Sequence, residues 1–222
     1  MKKSIRIVVT AGPTREHLDP VRFLSNPSTG KMGFAIAAEA VRRGHDVTLV
    51  AGPVSLETPR GVKRVDVVSA REMLAAAVEA VEASAASGGC AFIATAAVAD
   101  WRPARCAARK LKKGSMSATL QLRRNPDVLK TVSRLARRLA PASFKLVGFA
   151  AETGDPVAEA SRKCREKRLS FIVANDVTEK GCGFGTDTNR VVFVYPDGSE
   201  RRFPLMSKRR VAANIIKEIE QC

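Results

Sequence analysis

The chain has 222 residues, 45% of them hydrophobic, and its 38 Lys and Arg outweigh 22 Asp and Glu to give a formal net charge of +16. That length and apolar content suit a single domain over residues 1–222, and no apolar run is long enough to span a bilayer, so a membrane partner is not expected. The charge favours anionic partners such as phosphorylated metabolites or nucleic acid, whereas two histidines and five cysteines without a C-x-x-C spacing argue against a zinc site.

A β-branched run at Ile5–Thr10 reads as a buried strand. A polar loop follows it, in which Asn26, Ser28, Thr29 and Lys31 crowd a turn around Gly30. Phe34–Arg43 reads as a helix closed by Gly44. A loop feeding a glycine-rich helix start offers unpaired N–H groups to an anion, and the helix dipole adds to the attraction. The unit is not an ordinary dinucleotide site. No G-x-G-x-x-G follows the first strand directly, and the second strand, Asp46–Val50, ends in Ala51-Gly52 rather than in the acid that holds a ribose. Both departures argue against a nicotinamide dehydrogenase.

A strand is expected at Lys63–Val67, and Ser69-Ala-Arg-Glu72 forms a capping box for an alanine-rich helix to about Ala86, ended by Ser87-Gly-Gly89. Cys90–Thr95 reads as a buried strand leading into Ala96–Asp100. The alternation then breaks. Trp101–Arg124 reads as a basic arm standing off the sheet, with Ser117–Leu122 alternating like an exposed strand. Asn125 is expected to cap the next helix, with Pro126 at its first position. Lys145–Phe149 is a strand, Asp155-Pro156 opens a helix carrying Lys163 and Lys167, and Leu169–Ala174 is another strand. Asn175–Asn189 is a glycine-rich loop, Arg190–Tyr195 and Arg201–Leu205 flank Pro196-Asp-Gly198 as a hairpin, and Ser207 caps a last helix. The fold class is therefore α/β: a Rossmann-like parallel sheet flanked by helices, with a β-arm or flap at about 102–124 and a C-terminal hairpin plus helix.

Ligands bind such sheets at the carboxyl ends of the strands. Arg22, Asn26, Asp100, Glu152, Asn175 and Asp176 fall there, and Lys110, Lys112 and Lys113 sit on an arm able to close over that edge. No Ser-His-Asp arrangement stands out. Catalysis by positioning and charge neutralisation, as in phosphoryl or nucleotidyl transfer, fits the residues present. His17 and His45 read as surface residues, and Cys182, between two glycines, as the cysteine most open to solvent.

Motifs across nearly the whole chain resemble the phosphopantothenoylcysteine synthetase family: Thr10-Ala-Gly-Pro-Thr-Arg15, Asp19-Pro-Val-Arg22, Ser25-Asn26, Gly30-Lys-Met-Gly33, Gly52-Pro-Val-Ser55, Ala96-Ala-Val-Ala-Asp100, Lys110-Leu-Lys-Lys113, Asn125-Pro-Asp127, Gly148-Phe-Ala-Ala-Glu-Thr153, Ala174-Asn-Asp176 and Pro204-Leu205. The resemblance implies a two-step ligation in coenzyme A synthesis. The carboxylate of 4′-phosphopantothenate attacks the α-phosphate of CTP, and the amine of L-cysteine then displaces CMP from the acyl-cytidylate. It implies that Asn26 holds the acyl-cytidylate, that Arg22 and Ala97 contact the phosphopantothenate part, and that Lys110 on the flap stabilises charge on the phosphate. It also implies a nucleotide pocket of Ala94, Thr95, Ala96, Asp100, Asn125, Pro126, Asp127, Val128 and Phe149, with Lys163 and Lys167 meeting the triphosphate.

The resemblance further implies Mg²⁺ with ligands not identified, no flavin and a homodimer. In bacteria the domain is usually fused behind a flavin-dependent decarboxylase; with the first strand beside Met1, a stand-alone cytoplasmic enzyme with a separate decarboxylase is expected. Three positions depart from the family pattern: Thr29 where serine is usual, Trp101 where tyrosine is common and Arg109 where an acid is frequent. The alternative reading from the charge is a basic nucleic-acid-binding module on a nucleotide fold. Against it, the scarce aromatics do not alternate with the basic runs, and Arg137-Arg138 and Arg209-Arg210 read as solvated helix faces.

Overall fold

The structure is a computed structural model, which describes residues 4–85, 90–112, 119–139 and 144–221. Its frame is an eight-stranded sheet. The first strand, β1 (Arg6–Ala11), is followed by a small antiparallel hairpin, β2 (Arg15–His17) and β3 (Phe23–Ser25), and then by α1 (Lys31–Arg42). Next come β4 (Asp46–Ala51), β5 (Val62–Asp66), α2 (Ala70–Ala85) and β6 (Cys90–Ala94). A second hairpin pairs β7 (Trp101–Pro103) with β8 (Leu122–Arg124). The chain continues through α3 (Val128–Leu139), β9 (Phe144–Glu152), α4 (Val157–Glu166) and β10 (Phe171–Asp176). It closes with β11 (Thr188–Asn189), β12 (Val192–Val194), β13 (Glu200–Arg202), β14 (Met206–Ser207) and α5 (Lys208–Gln221).

The sheet order is β13-β12-β10-β9-β6-β1-β4-β5. From β10 to β5 all neighbours are parallel, while β12 and β13 add an antiparallel edge. The chain winds outward from β1 through β4 to β5, then returns to β6 on the other side of β1. That reversal opens a crevice at the carboxyl ends of β1 and β6, where open α/β sheets bind ligands.

Burial on both faces explains the apolar runs. With a side-chain period of two, Ile7, Val9 and Ala11 of β1 enter the core under α1 and α5, while Val8 enters the core under α2 and α3. The central strands repeat this division: Ala91 and Ile93 against Cys90 and Phe92 in β6, and Phe171 and Val173 against Ile172 and Ala174 in β10.

Several expectations shift. The first helix begins at Lys31, not Phe34, because Gly30 takes a left-handed φ of 79° at its N-cap and its carbonyl accepts the Phe34 N–H at 3.1 Å. The capping box is present in altered form: Ser69 Oγ accepts the Glu72 N–H at 3.3 Å, but the Glu72 carboxylate accepts the N–H of Val68, the residue before the cap, at 2.8 Å. The arm strand is Leu122–Arg124, paired with Trp101–Pro103, rather than Ser117–Leu122; residues 113–118, including Lys113, lie outside those described. The next helix is capped by Asp127, not Asn125. Asp127 Oδ1 accepts the Lys130 N–H at 2.9 Å and its carbonyl accepts that of Thr131 at 3.0 Å, so Pro126 precedes the helix instead of starting it. The glycine-rich loop after β10 ends in the short strand β11, which pairs with β14.

Cys182 is buried, with the Arg190 N–H on its Sγ at 3.2 Å; among the described residues the exposed thiol is Cys106. His45 is also buried. Its Nδ1 accepts the Ile5 N–H at 3.4 Å and its Nε2 meets Glu220 at 3.2 Å, so it joins β1 to α5 rather than facing solvent.

Candidate functional site

The loops after β1 and β6 are hydrogen-bonded into one crest. Ala97 N–H donates to Gly12 O at 2.9 Å, Ala99 N–H to Thr14 Oγ1 at 3.0 Å and Ala96 N–H to Thr10 Oγ1 at 3.3 Å. Asn26, exposed on the far side of the β2–β3 hairpin, donates from Nδ2 to Ala97 O at 3.1 Å. Two residues expected at the reacting end, Asn26 and Ala97, are thus in contact.

Arg22 is bound internally. The Asp19 carboxylate, 0% exposed, accepts the N–H groups of Val21 at 2.8 Å, Arg22 at 2.9 Å and Leu111 at 3.1 Å, and the Arg22 guanidinium Nε at 3.0 Å. Arg22 Nη2 also donates to Leu111 O at 2.8 Å. The Arg22 guanidinium, more than the backbone donors, holds the Asp19 carboxyl well below the usual carboxylate range against the opposing effect of burial. The same cluster fixes Leu111, so the root of the arm is tied to the Arg22 loop. Lys110, the residue before, is exposed.

On the α3 side of the crest lies a cavity of about 230 Å³. Nine of the expected nucleotide residues line it: Ala94, Ala96 and Asp100 from the β6 end, Asn125, Pro126, Asp127 and Val128 from the start of α3, Phe149 from β9, and Lys167. Asn125 builds its wall by donating from Nδ2 to Ala99 O at 2.8 Å and accepting from Arg102 Nη1 at 3.0 Å. Burial alone would raise the Asp127 pKa, but the Lys167 ammonium 2.8 Å away and the Lys130 N–H outweigh it, and the net shift is downward. Lys163 stands outside this cavity, on Glu152 at 2.7 Å and Glu159 at 3.3 Å; burial disfavours its charge, and the two carboxylates more than restore it.

Thr95, one residue from Ala94 and Ala96, faces the opposite side. There a smaller cavity of about 80 Å³ opens at the start of α1, between Ser28, Thr29, Gly30, Asn175, Asn189 and Lys208. Phe149 lines both cavities. Gly33 lets α1 approach, since a Cβ there would lie 2.5 Å from Ala11 Cβ and 2.6 Å from Thr95 Oγ1. Sequence reasoning gave no role to Asp19, Asn189 or Lys208. Asp19 stood in a quoted motif with Arg22, which is a usable signal. Lys208 opens a Lys-Arg-Arg run indistinguishable from a solvated helix face.

The family described as DNA/pantothenate metabolism flavoprotein C-terminal domain matches residues 2–222. The chain belongs to this family. Its relatives include the coenzyme A biosynthesis bifunctional protein CoaBC of Vibrio vulnificus (strain YJ016), 45% identical over 216 residues, 96% of this chain and 51% of that protein. The CoaBC protein of Escherichia coli (strain K12) is 46% identical over 220 residues, 98% of this chain and 52% of that protein. The chain thus spans about half the length of these curated relatives. A crystal structure of the C-terminal domain of a CoaBC protein superposes with a TM-score of 0.79 at 39% identity, covering 99% of this chain and 95% of that one. The DNA/pantothenate metabolism flavoprotein from Streptococcus pneumoniae has the same fold, with a TM-score of 0.78 at 20% identity over 98% of this chain and 99% of that one.

Proposed function

We propose that the chain joins 4′-phosphopantothenate to L-cysteine through an acyl-cytidylate, giving 4′-phospho-N-pantothenoylcysteine, CMP and pyrophosphate. The observation that carries this reading is the cavity on the α3 side of the crest, in which nine residues expected to hold the nucleotide come together next to the Asn26–Ala97 contact. The nucleoside lies in that cavity, with Asp100 and Asn125 as its polar walls. Lys167, in the cavity wall, and Lys163, four residues earlier and outside that wall, meet the triphosphate. The α-phosphorus sits at the crest, where the phosphopantothenate carboxylate reaches it. Asn26 and Ala97 hold the acyl-phosphate formed, and Arg22 orients the pantothenate portion. Lys110, carried by the arm over this edge, adds positive charge to the phosphate as negative charge builds in the transition state, which lowers the barrier more than it tightens binding. In the second step the cysteine amine attacks the acyl carbon and CMP leaves.

Magnesium belongs to the proposal as part of the CTP substrate, neutralising its polyphosphate. Among the described residues no group of three or more His, Cys, Asp or Glu is gathered to hold a metal of its own. No helix among them is long and apolar enough to cross a membrane. A homodimer is proposed with the ligase; exposed Val21 and Phe23 on one hairpin and Trp101 and Leu122 on the other give apolar surface for a second copy to cover. The product passes to a decarboxylase.

The test is pyrophosphate release by the purified chain with CTP or ATP, with and without 4′-phosphopantothenate and cysteine. Release that requires CTP and 4′-phosphopantothenate, with CMP and the cysteine adduct appearing only when cysteine is added, is the expected result. Equal catalytic efficiency with ATP overturns the cytidine assignment. No release under any combination overturns the ligase, and salt-sensitive DNA binding in its place supports the nucleic-acid reading.

A further inference from the structure

One side chain fastens the wall of the nucleotide cavity to the root of the arm. Arg102, half-buried on β7, donates from Nη1 to Asn125 Oδ1 at 3.0 Å and to Arg124 O. It thereby crosses the hairpin, because β8 ends at Arg124 and the cavity wall takes up the next residue, Asn125. Among the described residues its guanidinium meets no carboxylate, in contrast to Arg22 on Asp19 and Arg43 on Glu39. A guanidinium that binds neutral oxygens contributes direction more than charge neutralisation, since its planar fork donates along fixed lines and accepts nothing.

Asn125 is consequently held at both ends of its carboxamide. Oδ1 accepts from Arg102, Nδ2 donates to Ala99 O at 2.8 Å, and the backbone N–H donates to Asp100 O at 2.8 Å. The amide turned over would set Nδ2 against a guanidinium N–H and Oδ1 against a carbonyl oxygen, which loses both bonds. Without Arg102, only the Ala99 bond opposes that turn. A carboxamide free to turn presents a donor or an acceptor at the same place and suits more than one base edge. Cytosine and adenine both carry an exocyclic amino donor beside a ring-nitrogen acceptor, and cytosine adds a carbonyl acceptor. Telling them apart therefore requires a wall with one fixed pattern.

We propose that Arg102 is a positioning residue for base selection: by fixing the Asn125 carboxamide it sets the donors and acceptors that the nucleotide meets. This rests on the cytidine reading given above. Arg102 acts through Asn125 rather than on the substrate. The same bonds tie the cavity wall to the β7–β8 hairpin, in which Arg102 lies opposite Arg123. The arm that carries Lys110 and the wall that selects the base thus share one anchor.

The test is the ratio of kcat/KM with CTP to that with ATP, followed by pyrophosphate release on the whole chain. It is measured for the wild type, Arg102→Met, Arg102→Lys, Asn125→Ala and the variant carrying both Arg102→Met and Asn125→Ala. Arg102→Met lowers the ratio roughly 10- to 100-fold, the usual weight of a hydrogen bond to a charged group, and does so through the KM for CTP more than through kcat. Arg102→Lys, which keeps a charged donor, restores most of the ratio. In the Asn125→Ala background Arg102→Met lowers the ratio no further, because the group it positions is gone. A merely structural role would depress both nucleotides alike and leave the ratio unmoved. A wild-type ratio in Arg102→Met, or an equal loss with and without Asn125, overturns the proposal and leaves the ligase reading intact. A wild type that uses CTP and ATP equally overturns it together with the cytidine reading. Should Arg102→Met not fold, NMR of the wild-type Arg102 guanidinium decides: separate Nη signals from a held group support the proposal, and one averaged signal from a freely turning group overturns it.

Discussion

Replacing Gly33 by Ala sets two effects of opposite sign against each other. In a helix interior Ala is favoured over Gly by about 1 kcal/mol. Packing opposes it. The new Cβ would lie 2.5 Å from Ala11 Cβ, 2.6 Å from Thr95 Oγ1 and 3.2 Å from Ala11 Cα. Thr95 can rotate away only by giving up its hydrogen bond to Thr10 O, and the Ala11 methyl has no rotamer to escape into. Carbon atoms pack at about 3.5–4.0 Å, so α1 must back away from β1 by about 1 Å. Overpacking of this kind costs about 1–3 kcal/mol and here includes backbone, which puts the cost at the upper end. The packing term therefore wins, with a net loss of about 1–2 kcal/mol. Urea unfolding of Gly33→Ala checks this: the midpoint falls while the slope stays at the wild-type value. Because Thr95, a residue expected at the nucleotide, must give way, the KM for CTP also rises. A midpoint at or above that of the wild type, with CTP kinetics unchanged, refutes the reasoning.

Asn26→Ala removes an exposed hydrogen bond to Ala97 O, so its unfolding midpoint stays close to wild type while adduct formation, followed by product chromatography, falls roughly 100-fold or more. Lys110→Gln slows pyrophosphate release in single-turnover experiments by about 100-fold and changes equilibrium CTP affinity much less. In native protein treated with an alkylating reagent and mapped by peptide mass, Cys106 is modified ahead of Cys90, Cys164 and Cys182. Cys106 is exposed, whereas burial pushes the thiols of Cys90 and Cys164 up to about 11 and that of Cys182 upward as well.

The elements readable from sequence were those whose cause is local. Ile7–Ala11 and Cys90–Ile93 are buried on both faces, so their apolar runs announce a central parallel strand. Ser69 and Glu72 announce a helix start because the capping box needs only four residues. Asn125 misled for a tertiary reason. It has the chemistry of an N-cap, but Ala99 and Arg102, both more than twenty residues earlier, claim its side chain, and Asp127 takes the cap two residues later. Cys182 and His45 misled because flanking glycines and polar neighbours suggest solvent, whereas the loop folding back to Arg190 covers Cys182 and α5 covers His45. In the site, the nucleotide cavity was legible through motifs. Lys208 was not, since nothing in a Lys-Arg-Arg run distinguishes the one lysine that turns inward.

Phe149 has a consequence for how such a site can change. It lines two cavities that lie on opposite faces of one sheet. On the reading given above, the nucleotide is recognised on the α3 face, while the α1–α5 face carries the second cavity at the start of α1. Only the reacting phosphorus lies at the crest, held by neither. Substitutions on one face therefore alter one property and spare the other, and pairs drawn from opposite faces combine additively. Phe149 is the place where that independence ends: it is the one residue common to the linings of both cavities, so a substitution there reaches both at once.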